Sequence, residues 1–259
     1  MPRSKNVRIF RLVIIALLAC LFAAGWLFYQ YRFKRTKRPA LYTEFGIYLP
    51  AGYMLHGIDV SRYQGTIDWQ AVSTMNIDSV QMDFAFIRAT QGTSYVDPYF
   101  EQNWREITQT RMTRGVYHYF EPAIDGEAQA RHFIRTVKLQ PGDLAPVLDV
   151  EELRESTPEQ LVKEVRGWIE LVETHYHIRP IIYTGADFYR RYLSAYFSDY
   201  PLWVAHYYQP RAPRVAAAWK FWQHNDRGRV NGIESGVDFN VFNGSRAELD
   251  SLCIPRTIP

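Results

Sequence analysis

Apolar and polar positions along residues 55–245 follow two periods. Short runs with period two, or apolar throughout, read as strands: His56–Tyr63, Asp83–Ala89, Gly115–Phe120, Ala145–Glu151, Pro180–Thr184, Leu202–Tyr207, Lys220–His224 and Val237–Phe242. Between the earlier runs, apolar residues recur every three or four positions. That spacing predicts helices over Asp68–Met75, Pro98–Met112, Glu127–Val137, Pro158–Tyr176 and Ala186–Tyr196. The fourth helix has a start signal, with Thr157 and Gln160 as a capping box and Pro158 in the first helical position. Strands that alternate with helices imply βαβ units and a parallel sheet. Eight strands in so short a stretch favour a closed barrel over an open sheet. Only loops separate the last three strands. The expected fold is therefore α/β, an irregular (β/α) TIM-like barrel of eight strands that lacks helices between its last strands. No repeats or low-complexity tracts interrupt it.

The N-terminus breaks this pattern. Leu12 to Tyr29 is an apolar run without a charge. As a helix rising 1.5 Å per residue it would reach about 27 Å, close to the roughly 30 Å hydrocarbon core of a bilayer. Trp26, Tyr29 and Tyr31 stand at its end, where an aromatic belt belongs. A cleaved signal peptide would have a shorter apolar region and a small-x-small site, which this segment does not show convincingly. Leu17-Leu18-Ala19-Cys20 loosely matches a lipoprotein box, but the chain stays apolar after Cys20. The expected organisation is a basic-flanked single-pass transmembrane anchor over residues 1–38, a linker over 39–54 and a barrel over 55–253. Cys20 and Cys253, one in the anchor and one near the C-terminus, supply no disulfide framework.

Charge supports the same division. The formal net charge is +3, yet Arg3, Lys5, Arg8, Arg11, Arg32, Lys34, Arg35, Lys37 and Arg38 all precede the first acid. Without those nine cations the remainder carries about −6, which argues against nucleic acid as a partner of the main domain. With 47% hydrophobic and 22% charged residues, the chain can bury a full-sized core.

The candidate chemistry sits at strand ends, where barrels of this kind gather their functional groups. Leu148-Asp149-Val150-Glu151 closes the fourth strand. Residues two apart on a strand point the same way, roughly 7 Å apart along the chain, so Asp149 and Glu151 share a face. Two neighbouring carboxylates repel, which raises the pKa of one of them. An acidic strand end taken alone often only faces solvent or caps the next helix. Asp59 ends the first strand and Asp238 lies in the last, however, and these two strands adjoin in a closed barrel. Tyr117, Tyr119, Tyr183, Trp203, Tyr207 and Trp222 fall on predicted strands near the same rim. Four acids among aromatic faces suit a carbohydrate cleft. His118, His206 and His224 lack metal-ligand spacing, and no phosphate-binding loop, dinucleotide fingerprint or nucleophile elbow is present. No metal or cofactor is expected.

Read in order, these segments resemble glycoside hydrolase family 25, the Chalaropsis-type lysozymes (N-acetylmuramidases). The resemblance rests on Gly57-Ile58-Asp59-Val60-Ser61-Arg62-Tyr63-Gln64, Phe86-Ile87-Arg88-Ala89-Thr90-Gln91-Gly92 and Gly115-Val116-Tyr117-His118-Tyr119-Phe120. It continues through Pro146-Val147-Leu148-Asp149-Val150-Glu151, Ile182-Tyr183-Thr184, Trp222-Gln223-His224 and Val237-Asp238-Phe239-Asn240. It implies hydrolysis of the β-1,4 bond between N-acetylmuramic acid and N-acetylglucosamine in peptidoglycan. Glu151 matches the general acid, Asp149 its partner, and Asp59 and Asp238 the other cleft acids. The family commonly has Lys and Glu in the segment that here reads Arg88-Ala89-Thr90-Gln91-Gly92. No wall-binding repeats follow the barrel, so the anchor is expected to localise a monomeric enzyme. The expected location is the bacterial cytoplasmic membrane, with the lipid bilayer contacted through residues 12–29 and the barrel on the outer side.

On mechanism, the D-x-E spacing suits a route in which Glu151 is protonated. Asp149, ionised, would then assist the substrate's own acetamido group. Direct attack by water, with Asp59 or Asp238 as base, is the other route. Two further functions compete. A chitinase-like endo-N-acetylglucosaminidase usually has another acid two residues before its D-x-E, where this chain has Val147. A non-catalytic envelope glycan-binding protein would tend to lose an acid and keep the aromatics, yet all four acids are present.

Overall fold

The computed structural model describes residues 10, 14–26 and 39–255. Two compact units divide at Pro39 and Ala40. In the first, helix α1 covers residues 14–26, and its apolar Ile15, Leu18, Leu21 and Phe22 are exposed. Among the described residues, no helix is long and apolar enough to cross a membrane. The ends of the expected span, residues 12–13 and 27–29, lie outside the described residues.

The second unit holds strands β1 (Ala40–Tyr42), β2 (Ile47–Leu49), β3 (Leu55–Val60), β4 (Asn76–Ile77), β5 (Val80–Gln91) and β6 (Tyr95–Val96). It continues with β7 (Thr113–Tyr119), β8 (Val147–Asp149), β9 (Ile181–Gly185), β10 (Leu202–Ala205), β11 (Phe221–Gly228) and β12 (Val237–Phe242). Its helices are α2 (Trp69–Thr74), α3 (Phe100–Glu106), α4 (Gly126–Thr136), α5 (Pro158–Tyr176), α6 (Ala186–Phe188) and α7 (Arg246–Asp250). The order β3-β12-β11-β10-β9-β8-β7-β5 closes on itself because β3 also pairs with β5, giving an eight-stranded barrel. At α5 the Thr157 hydroxyl accepts from Gln160 N at 3.2 Å, so that half of the expected start signal forms.

One feature differs from the all-parallel expectation. Seven barrel strands run parallel, but β12 is antiparallel to both β11 and β3. Connection length explains it. A parallel crossover needs a dozen or more residues. Residues 206–220 suffice between β10 and β11, whereas only 229–236 join β11 to β12, which forces a hairpin. Reversal puts the start of β12 at the rim where β3 ends, with Asp238 opposite Asp59.

Strand alternation sorts side chains into two cores. Phe84, Phe86, Trp203, Phe221 and Phe242 fill the barrel interior, with Phe86 stacked on Trp203 at 4.3 Å. Gly57 and Gly115 make room for them, since a Cβ at either would lie 2.4 Å from the Phe84 or Phe86 ring. Outside the strands, helices α4 and α5 cover one side through Phe133, Trp168 and Val165.

The stretch over residues 39–54 is not the linker that its Pro and Gly content suggested. Strands β1 and β2 form an antiparallel hairpin whose Phe45, Ile47 and Leu49 are buried with Trp222, Phe239 and Val241. Phe45 meets Phe239 at 5.3 Å, and its carbonyl accepts from Arg229 N. The hairpin thus covers the outer faces of β11 and β12, the faces left bare where helices are missing.

Candidate active site

The barrel's packed aromatic interior is the floor of a cleft of about 230 Å³ at the C-terminal ends of the parallel strands. All four predicted acids line it, with Asp59 from β3, Asp149 from β8, Glu151 two residues on, and Asp238 from the reversed β12. Tyr117, Tyr119, Tyr183, Trp203 and Tyr207 line it too. Trp222 does not. It is one residue out of phase with inward-facing Phe221 and Gln223, so it points to the outer face. There it packs against Tyr53 and Trp219 and donates Nε1–H to the His206 carbonyl at 2.9 Å. Trp203 reaches the cleft only from its floor, being almost wholly buried on Phe86.

The acids form two interacting pairs. Asp59 Oδ2 accepts from Gln223 Nε2 at 2.8 Å and Asn240 Nδ2 at 2.7 Å, donors that favour its ionised form. Burial still pushes Asp59 up to about 6. Asp238 is pushed further, to about 9, by burial first and then by the charge of Asp59, to which it also hydrogen-bonds. Asp59 is thus the ionised member and Asp238 the protonated one.

In the second pair, burial holds the Asp149 carboxyl well above the usual range, with the Glu151 charge and a hydrogen bond to Glu151 acting in the same direction. Glu151 keeps solvent access at the cleft mouth, yet it is also raised, chiefly by the protein around it. Its hydrogen bond from Asp149 opposes that rise. Both carboxyls are thus raised, with burial acting on the enclosed Asp149 and on Glu151 nearer the mouth. Desolvation outweighs like-charge repulsion in both. Asp149 Oδ1 is buried without a hydrogen-bond partner among the described residues.

Several cleft residues were missed from the sequence. Gln223 is a hub whose Oε1 accepts from both Tyr183 and Tyr207 hydroxyls at 2.7 Å, while its amide holds Asp59. Asn240 ties Asp59 to Trp203, whose Nε1–H it accepts at 2.8 Å. Arg88 enters from β5, its Nε on Asp97 at 3.0 Å, and Ser61 and Tyr63 border the opening. Strand parity carried a signal for three of these, since Gln223, Asn240 and Arg88 lie two residues from an inward Phe221, Phe242 and Phe86 respectively. Within the segment that departs from the family pattern, Gln91 donates to Glu121 Oε1 at 2.9 Å, so a carboxylate follows the end of β7 there. His118 is buried between Thr90 and Gln129, where burial pushes it down to about 3 and keeps it neutral.

A closed α/β barrel whose C-terminal rim holds paired carboxyls, proton-sharing and tyrosine-lined, has the equipment of a glycosidase. Residues 58–233 match the family model described as Glycosyl hydrolases family 25, and the chain belongs to that family and is a glycoside hydrolase. It is 50% identical to the uncharacterized protein YegX of Escherichia coli strain K12, over 80% of this chain and 76% of that protein. It is 35% identical to Lysozyme M1 of Streptomyces globisporus, over 76% of this chain and 71% of that enzyme. The structure of a family 25 glycosyl hydrolase from Bacillus anthracis superimposes with a TM-score of 0.72 at 32% identity, covering 83% of this chain and all of that one.

Proposed function

We propose that the enzyme is a lysozyme-like N-acetylmuramidase that hydrolyses the β-1,4 bond between N-acetylmuramic acid and N-acetylglucosamine in peptidoglycan. Likeness to Lysozyme M1 supports the substrate class. The observation that carries the mechanism is the buried, unpartnered Asp149 Oδ1 beside the solvent-facing Glu151. An acetamido N–H donated to that oxygen favours ionised Asp149. The single proton of the pair then passes to Glu151, at the mouth where a leaving oxygen needs it. Substrate binding thereby loads the acid. Ionised Asp149 holds the acetamido group while its carbonyl oxygen attacks the anomeric carbon, and Glu151 protonates the departing sugar. Water then opens the cyclic intermediate, and its proton passes to the Glu151 carboxylate, which restores the acid. Ionised Asp59, hydrogen-bonded to the protonated Asp238, stabilises the positive charge that develops in the ring.

Glu151→Gln should lower turnover by roughly 10²-fold or more, and Asp149→Asn should do so while also weakening binding of acetylated sugars. Substrate assistance gives a β product at first release and direct displacement by water gives α. An initial α signal in early-time proton NMR of the new reducing end would sink the assisted route.

We further propose that residues 12–29 anchor the chain in the bacterial cytoplasmic membrane with the barrel on the outer side. The apolar residues exposed on α1 and the cations on both flanks support the anchor; the flanking charges nearly balance, so the side proposed for the barrel rests on where the glycan lies.

A further inference from the structure

The enclosed part of the cleft, about 230 Å³, is smaller than the roughly 300–1,000 Å³ of pockets that engulf a whole small ligand. A polymeric strand must therefore continue over the lip. One lip is unusually prepared. After β3 the chain turns at Ser61 into a single 3₁₀ turn, Arg62–Gln64, closed by reciprocal bonds between Ser61 and Gln64. Gln64 Nε2 donates to the Gly236 carbonyl at 2.9 Å, and Arg62 N donates to Asp97 Oδ2 at 2.8 Å. This frame leaves Tyr63 bordering the cleft at 69% exposure.

An aromatic so exposed would ordinarily be mobile, but this one is tied down. Arg62 donates to the Tyr63 hydroxyl at 3.2 Å and to the Tyr95 hydroxyl at 3.3 Å, and its guanidinium lies 5.0 Å from the Tyr63 ring and 5.7 Å from that of Tyr95. Arg88 lies 5.5 Å from the same Tyr95 ring. Its Nε is held by Asp97, yet its Nη2 is buried in the cleft wall with no hydrogen-bond partner among the described residues. Tyr63, Arg62, Tyr95 and Arg88 thus form a line from solvent to cleft, ending on a donor with nothing to donate to. A pre-positioned ring with a buried, unsatisfied donor beyond it is a binding surface whose ordering cost is already met.

We infer that Tyr63 is the platform of an additional saccharide subsite. Its ring stacks on the apolar face of an N-acetylated hexose beyond the bond that is cut, and Arg88 Nη2 donates to an oxygen of the same strand. The inference rests on the muramidase reading for its ligand. Its test separates the two by measuring binding without turnover.

Strand fragments of two and of four or more disaccharides are titrated against the full chain carrying Glu151→Gln. Adding Tyr63→Ala should weaken the long fragments about tenfold and abolish the preference for long over short. Tyr63→Trp should restore that preference. An unchanged length preference in Tyr63→Ala overturns the subsite, as does an equal loss at every length or a failure of Glu151→Gln to bind any fragment. Length-dependent binding that needs Tyr63, in a chain whose native form cleaves none of these fragments, would leave the subsite standing and defeat the hydrolytic reading.

Discussion

Asp149 and Glu151 show how two neighbouring carboxyls come to lie in different surroundings, one enclosed and one open to solvent. Their spacing in the chain puts them on one side, but depth in the barrel decides how strongly each is desolvated. Asp238 extends the point to stability. A folded carboxyl raised to about 9 retains a proton that an ordinary aspartate, near 3.8 in the unfolded chain, has already released. The folded state then binds more protons throughout that interval, so the group costs stability increasingly as pH rises from about 4 towards 9. Asp238→Asn keeps a donor for Asp59 and removes the titration. Its melting temperature should exceed the native one by roughly 2–6 °C at pH 8 and match it near pH 4. Equal shifts at both pH values would show that packing, not protonation, is responsible.

Among the elements, the β1–β2 hairpin is the least expected and the most consequential for the barrel's irregular side. Elsewhere the outer strand faces lie under helices such as α4 and α5; over β11 and β12 they lie under Phe45, Ile47 and Leu49. Phe45 is fully buried, so Phe45→Ala should cost about 3–5 kcal/mol in urea unfolding. A loss below about 1 kcal/mol would mean that the hairpin merely rests on the barrel. Hydropathy could have raised this possibility, since Phe45, Ile47 and Leu49 alternate with polar or exposed positions. Three-residue strands are too short for a period to stand out from the Pro and Gly around them.

Taken whole, the molecule is two units, and residues 40–259 hold the complete barrel, its covering hairpin and every cleft residue. Deleting residues 1–39 should leave the melting temperature within about a degree and preserve cleavage of dissolved glycan, while the full chain alone partitions into vesicles. Loss of cooperative unfolding on truncation would show that the first unit is part of the fold. C-terminal reporter fusions active only in the cytoplasm would overturn the proposed orientation.

Hydrophobic period and residue type, both local, were enough to place the barrel strands, the long helix after Thr157 and the four acids, because each is written within a few consecutive residues. Strand parity likewise set Asp149 and Glu151 on one face. What local pattern does not encode is which distant segments meet. The reversal of β12 follows from a connection too short for a crossover, and it alone brings Asp238 opposite Asp59. Trp222 turned outward because the register of β11 gave the inward positions to Phe221 and Gln223. The raised carboxyl of Asp149, the hub at Gln223 and the frame under Tyr63 draw on burial and on contacts between residues dozens to more than a hundred positions apart. Such desolvation and geometry exist only once the barrel has closed.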